Sequence, residues 1–329
     1  MRRTLRGVLP LIGGLTLLTA CSGEPSADVA EGVSTRAQAH HRHHGGELRT
    51  QRVRVTGPKL GVQKLAYWDT GNAAPAIVFV HSNSCSKECW ERQFAETQPD
   101  GTPNPLREYR LIAFDLPGHG DTRRIDGDQN VYSIGLYAEA VTAFSEALQL
   151  HGAVYVGHSL GGHAVIESGQ FLPEPRGALI YGAPPVSTLA QLGAAFFPMP
   201  GGPHYLTANL SNEDIHHWEA TVYYSDIPDH FARSVRRTDP RARGDLPASF
   251  AVLADEVGMV RDYPCPIGII HGKYERSVRL SYLESLNLDS ELWHGGIQVV
   301  DESNHFVSWD QPVVFNSLVT QMADEVNAP

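Results

Sequence analysis

Apolar residues occur along this chain in short blocks separated by polar and turn-forming stretches, and the period within the blocks changes. Residues 52–56 (RVRVT) and 63–68 (QKLAYW) mix polar and apolar positions as a short β-ribbon does. Residues 76–81 (AIVFVH), 110–115 (RLIAFD), 153–156 (AVYV), 178–181 (ALIY), 267–271 (IGIIH) and 297–301 (IQVVD) are continuous apolar runs. Runs of that length fit strands buried on both faces of a parallel sheet. Helical spacing fills residues 133–150, 160–169 and 312–326. Strand and helix in alternation predict an α/β architecture around a mostly parallel sheet of eight strands.

Roughly 80 residues separate the run ending at Tyr181 from the one starting at Ile267, too many for a structureless loop. Helical signals occupy the gap. Ser211 or Asn212 caps EDIHHWEATVYY, IPDHFARSVRR follows, and Thr238-Asp239-Pro240 opens RARGDLPASFAVLADEV with proline in the first turn. Residues 185–260 are therefore expected to form a helical insertion between two parts of one core, 51–184 and 261–329. Phe196, Phe197, Met199, Trp218, Tyr223, Tyr224 and Phe231 are its candidates for lining an acyl or aromatic pocket, with half or more of them packing inside the insertion.

The first 21 residues differ from the rest. Arg2, Arg3 and Arg6 precede an apolar run over residues 8–20 that is short for a bilayer span, which is the pattern of an export signal. Leu18-Thr19-Ala20-Cys21 resembles the lipobox of bacterial lipoproteins. That resemblance implies a signal peptide over 1–20, a lipidated Cys21, and a cell-envelope protein held to the membrane by lipid alone. An ordinary secretory signal is the other reading. Residues 21–50 lack apolar periodicity and read as a flexible tether. His40, His41, His43 and His44 lie within it, either solvated or as a loose metal site.

Without the three signal arginines, 23 basic residues face 37 acidic ones, a net charge of −14 with histidine neutral. So acidic a body argues against nucleic acid as a partner. Cys85 and Cys89 are near neighbours, and a disulfide between them is left open, because loop geometry decides it.

The candidate chemistry centres on Gly157-His158-Ser159-Leu160-Gly161, a GxSxG pattern placed where a strand runs into a helix. In such an elbow the glycines let strand and helix approach, and the serine Oγ is presented at the end of the sheet. A serine hydroxyl is a weak nucleophile that needs a base, an orienting acid and oxyanion donors.

Three segments in this order, VFVHSNS at 78–84, FDLPGHGDT at 114–122 and GHSLGG at 157–162, resemble the α/β-hydrolase family. The resemblance covers 51–184 and 261–329. It implies a mostly parallel eight-stranded α/β-hydrolase sheet flanked by helices, with a helical cap inserted after the sixth strand. It also implies the chain order nucleophile, acid, histidine. Ser159 is then the nucleophile. The acid is Glu275, where the family most often has aspartate, and the base is His305, which follows the last strand. Asp255 and Asp262 are fallback acids, and a surface ion pair between Glu275 and Arg276 is the competing reading of Glu275. The oxyanion donors are the N–H groups of Leu160 and Asn83. The family's His-Gly is His81-Ser82 here, and serine tolerates some turn angles poorly. Ser82 or Ser84 is a candidate extra hydroxyl. His158 is expected to be structural, and His81, His119, His163 and His271 to make hydrogen bonds within turns.

These residues imply a serine hydrolase without cofactor or metal, acting on a small-molecule ester or lactone through an acyl-enzyme. Carbon–carbon bond hydrolases, thioesterases and cofactor-free haloperoxidases or perhydrolases share the expected triad. A non-catalytic ligand-binding lipoprotein is the alternative outside enzymes.

Overall fold

The computed structural model describes residues 48–127, 131–199 and 202–328. The expected signal segment, Cys21, the four tether histidines and all but the last residues of the tether lie outside that range.

The eight expected strands are present: β1 (Gln51–Gly57), β2 (Gly61–Asp69), β3 (Ala76–Val80), β4 (Arg110–Phe114), β5 (Val154–His158), β6 (Gly177–Tyr181), β7 (Ile267–Gly272) and β8 (Gln298–Val300). They form one sheet in the order β1-β2-β4-β3-β5-β6-β7-β8. β2 pairs antiparallel with both β1 and β4, and every pairing from β4 to β8 is parallel. The register explains the unbroken apolar runs, because alternate residues serve opposite faces. Val78, Val80 and Tyr155 pack toward the helices Ile134–Ala147 and Leu160–Ser168. Ile77, Phe79, Val154 and Val156 pack against Phe315, Val319 and Met322 of the helix Pro312–Asn327.

Between β6 and β7 the insertion contains the helices Leu189–Ala195, Asn212–Val222 and His230–Arg237, then a broken series. Ser211 caps the second helix with a full capping box to Asp214. The stretch expected as one helix from Arg241 is divided into Arg241–Gly244, Leu246–Ser249, a 3-10 turn at Phe250–Val252, and Glu256–Arg261. Pro247 supplies a physical reason: it has no N–H to continue a helix begun before it, and it sits in the first turn of the second piece. The aromatic candidates also divide. Phe196 and Trp218 line a cavity. Tyr223 and Phe231 are buried in a cluster with Trp218, Phe306 and Trp309, with Met199 packed against it. Phe197 and Tyr224 are exposed.

Candidate active site

Ser159 stands at the turn from β5 into the helix Leu160–Ser168 with φ 52° and ψ −117°, a strained backbone for any residue with a Cβ. The surroundings fix that turn. The Ser159 N–H donates to Tyr181 O at 2.8 Å, tying the elbow to the end of β6. A Cβ on Gly157 would lie 2.7 Å from Gly161 O, one on Gly161 2.2 Å from Val80 O, and one on Gly162 2.5 Å from the Ala183 Cβ. Gly157 and Gly161 are thus set by close backbone approach, and Gly162 by the Ala183 side chain.

His305 is brought to the same place by the loop after β8. Its Nδ1 lies 2.8 Å from Glu275 Oε2, on the loop after β7. Glu275 Oε1 accepts the Ser277 N–H at 2.6 Å. Burial would raise the Glu275 pKa, but the His305 charge and hydrogen bond outweigh it, with help from His271 and the Ser277 N–H, and hold it below its ordinary value. Two glycines allow the approach. A Cβ on Gly182 would come within 2.6 Å of His305 Cε1, and one on Gly272 within 2.3 Å of Asn304 O. The fallback acids lie elsewhere: Asp255 caps the helix Glu256–Arg261 through the Gly258 N–H, and Asp262 is exposed at its end. Glu275 makes no ion pair with Arg276, whose N–H donates instead to Asn304 Oδ1 at 3.0 Å.

Ser159, His305, Asn83 and Leu160 all line one cavity of about 390 Å³. The N–H groups of Asn83 and Leu160 donate to no backbone acceptor among the described residues. The loop bearing Asn83 is held from both sides. Arg243 Nη1 donates to Ser84 Oγ at 2.8 Å, and Ser84 Oγ donates to Asn83 Oδ1 at 3.0 Å. Asn83 Nδ2 donates to Tyr205 O at 2.8 Å. Lys87, buried beneath, bridges Asp115 at 3.0 Å and Asp121 at 2.7 Å. The backbone strain in this loop sits at Ser84, with φ 61°, and not at Ser82 where the missing glycine pointed. The Ser84 hydroxyl is committed to this relay, while Ser82 lines the cavity.

The other histidines separate. His81 and His119 make short-range bonds to Ser82 O and Pro117 O, at 2.7 and 3.0 Å, as expected. His158 is buried, stacked on Tyr181 at 4.2 Å between ring centroids and lying 4.8 Å from the His305 ring. His271 does not follow the expectation, since its buried Nδ1 has no hydrogen-bond partner among the described residues. His163 does not either: its Nδ1 pairs with Glu256 at 2.8 Å, across to the end of the insertion. Cys85 and Cys89 are free, buried thiols.

Residue-by-residue reading of the chain missed Asn304, Asp310 and Arg243. Asn304 Nδ2 donates to Thr221 O at 2.7 Å, and the His305 N–H donates to Val222 O at 3.1 Å. Asp310 accepts the N–H groups of Asn304 at 2.9 Å and Ser225 at 3.0 Å. The histidine loop is therefore bonded directly to the C-terminal end of a helix of the insertion. Nothing in the local sequence signals this, because each partner lies some 80 residues away.

Comparison with known proteins agrees with this fold. A non-heme chloroperoxidase of Streptomyces lividans is 29% identical over 167 residues, 49% of this chain and 53% of that protein. A bifunctional esterase/perhydrolase of Acinetobacter calcoaceticus is 36% identical over 93 residues, 28% of this chain and 30% of that protein. These matches thus span about half or less of the curated relatives' length. The crystal structure of a variant of the N-acyl homoserine lactonase AidH, complexed with N-hexanoyl homoserine lactone, superposes with a TM-score of 0.76 at 25% identity, covering 85% of this chain and 99% of that one. Residues 77–318 match the family model described as the alpha/beta hydrolase family. With its sheet order, its strained elbow and that match, the chain belongs to the alpha/beta hydrolase family.

Proposed function

We propose that this chain is a serine hydrolase that cleaves a carboxylic ester or lactone through an acyl-enzyme. The observation that carries the proposal is the 2.8 Å contact of His305 Nδ1 with Glu275 in the loops beside the cavity that Ser159 lines. Ser159 Oγ attacks the substrate carbonyl and His305 Nε2 takes its proton. Glu275 holds the Nδ1–H tautomer and stabilises the imidazolium. The Asn83 and Leu160 N–H groups receive the oxyanion, each worth about 3 kcal/mol in the transition state. The proton then passes from His305 to the leaving oxygen. A water molecule, deprotonated by the same imidazole, releases the acid.

The cavity walls favour an apolar acyl group: Leu189, Leu192, Phe196, Leu206, Trp218 and Phe250 contribute to them. The likeness to a lactonase bound to N-hexanoyl homoserine lactone makes N-acyl lactones the first substrates to try. The chloroperoxidase and esterase/perhydrolase relatives support a second reaction at the same site, in which hydrogen peroxide replaces water and the acyl group leaves as a peracid.

A panel of phenyl esters of graded acyl length, with N-acyl homoserine lactones alongside, tests the proposal. Turnover of an ester or lactone is expected, with His305→Ala losing at least about 10³-fold while staying folded by circular dichroism. Near-normal turnover by that variant would remove His305 as the base. We also propose export and lipid anchoring at Cys21; a Cys21→Ser chain that remains membrane-bound would contradict this.

A further inference from the structure

A second imidazole–carboxylate pair faces the cavity and has no part in the proposed reaction. His163 lies in the first turn of the helix Leu160–Ser168, four residues after Ser159. It lines the cavity. Its Nδ1 is 2.8 and 3.0 Å from the two carboxylate oxygens of Glu256.

Glu256 is 2% exposed. Its other hydrogen bond comes from the Val186 N–H at 3.0 Å, and among the described residues no lysine or arginine forms an ion pair with it. His163 is the only basic side chain paired with it among the described residues, and the carboxylate charge favours the protonated ring. In that form both ring nitrogens carry protons. Nδ1–H is taken by Glu256. Nε2 has no acceptor among the described residues, yet it is not among the buried side-chain atoms sealed without a partner. A pair serving packing alone would have both nitrogens bonded or enclosed. Glu167, one turn further along the helix, adds negative charge. Burial lowers the His163 pKa, but Glu256 and then Glu167 raise it by more, so it lies above its ordinary value.

The free donor therefore opens on the mainly apolar cavity that Ser159 also lines. We propose that His163, held by Glu256, binds substrate by donating its Nε2–H to a second carbonyl on the acyl side of the scissile ester, the amide carbonyl of an α-acylamino group. This rests on the ester or lactone reading and narrows it. The site selects acyl groups with a hydrogen-bond acceptor close to the reacting carbonyl over plain alkanoyl groups. Glu256 acts as a positioning residue that fixes the ring and balances its charge.

The test compares two phenyl esters of matched chain length, phenyl N-propanoylglycinate and phenyl hexanoate, and reads the ratio of their kcat/KM values. His163→Ala should lower that ratio about 10- to 100-fold, as loss of a hydrogen bond from a charged donor does. His163→Gln keeps an N–H donor and should restore part of it. A ratio unchanged in both variants, with phenyl hexanoate still cleaved by the wild type, overturns the proposal and leaves the ester reading standing. If the wild type cleaves neither ester, the ester reading falls and this proposal falls with it.

Discussion

The two histidine–glutamate pairs beside the cavity have the same side chains and nearly the same contact distance, yet different supports. His305 and Glu275 stand on loops at the ends of β8 and β7, where Gly182 and Gly272 let the backbones close in. His163 stands on a rigid helix and Glu256 on the last helix of the insertion. One pair is thus set by the sheet, the other by how the insertion docks on it. A histidine–carboxylate contact therefore does not by itself identify a catalytic dyad. What distinguishes the first pair is convergence with Ser159 and with the free N–H groups of Asn83 and Leu160.

Exchange of each carboxylate separates the pairs most sharply. Glu275→Gln should reduce ester turnover by about 10³- to 10⁴-fold, because an amide that donates to Nδ1 favours the wrong tautomer. Glu256→Gln should reduce it by about tenfold or less, since the change does not reach the proton relay. Steady-state kinetics on phenyl hexanoate measures both. Equal losses would make the two pairs one machine and dissolve the contrast.

A smaller effect is expected at the link between sheet and insertion. Asp310 accepts N–H groups from Tyr224, Ser225 and Asn304, and an asparagine there presents donors to donors. Asp310→Asn should lower kcat roughly tenfold and cost about 1–3 kcal/mol of stability through unsatisfied buried groups. Kinetics and denaturant melts measure the two effects. A stability loss at full kcat would show that the histidine loop keeps its place without the insertion.

The smallest effect is electrostatic. Burial, then the Glu256 charge, pushes the Glu167 pKa up to about 7 from 4.5. A carboxyl raised on folding holds its proton in the native state between those values while the unfolded chain has lost it. Stability from this group is therefore present below about pH 4.5 and declines as pH rises toward 7. Glu167→Gln should remove that slope and gain on the order of 1–2 kcal/mol at pH 8, less than the full shift implies because the side chain is partly solvated. Thermal melts at pH 5 and pH 8 would show it. A variant whose loss of stability between pH 5 and pH 8 equals that of the wild type would show that Glu167 does not carry the raised pKa.

Strands β3 to β7 were legible in the sequence because a strand buried on both faces has to be apolar throughout; the mixed runs became β1 and β2, and β8 is a partly exposed edge strand. Ser159 and His305 were legible because the turn after β5 and the loop after β8 occupy fixed places in chain order. The insertion was less so. Pro247 divides what the polar pattern presents as one helix, and the helix Leu189–Ala195 carries no strong start signal beyond Thr188. The His163–Glu256 pair was invisible because its members are 93 residues apart and only the docking of the insertion joins them. Position along the chain pointed to the proposed nucleophile and base, while the contacts proposed to choose a substrate arise from tertiary packing.

Ser159 is proposed as a nucleophile activated by its surroundings. Treatment of the folded protein with a fluorophosphonate probe, followed by peptide mass spectrometry, tests it most directly. One stoichiometric adduct is expected on the peptide containing Ser159, and none in Ser159→Ala. A folded wild type that stays unlabelled, or an adduct that persists in Ser159→Ala, would contradict it.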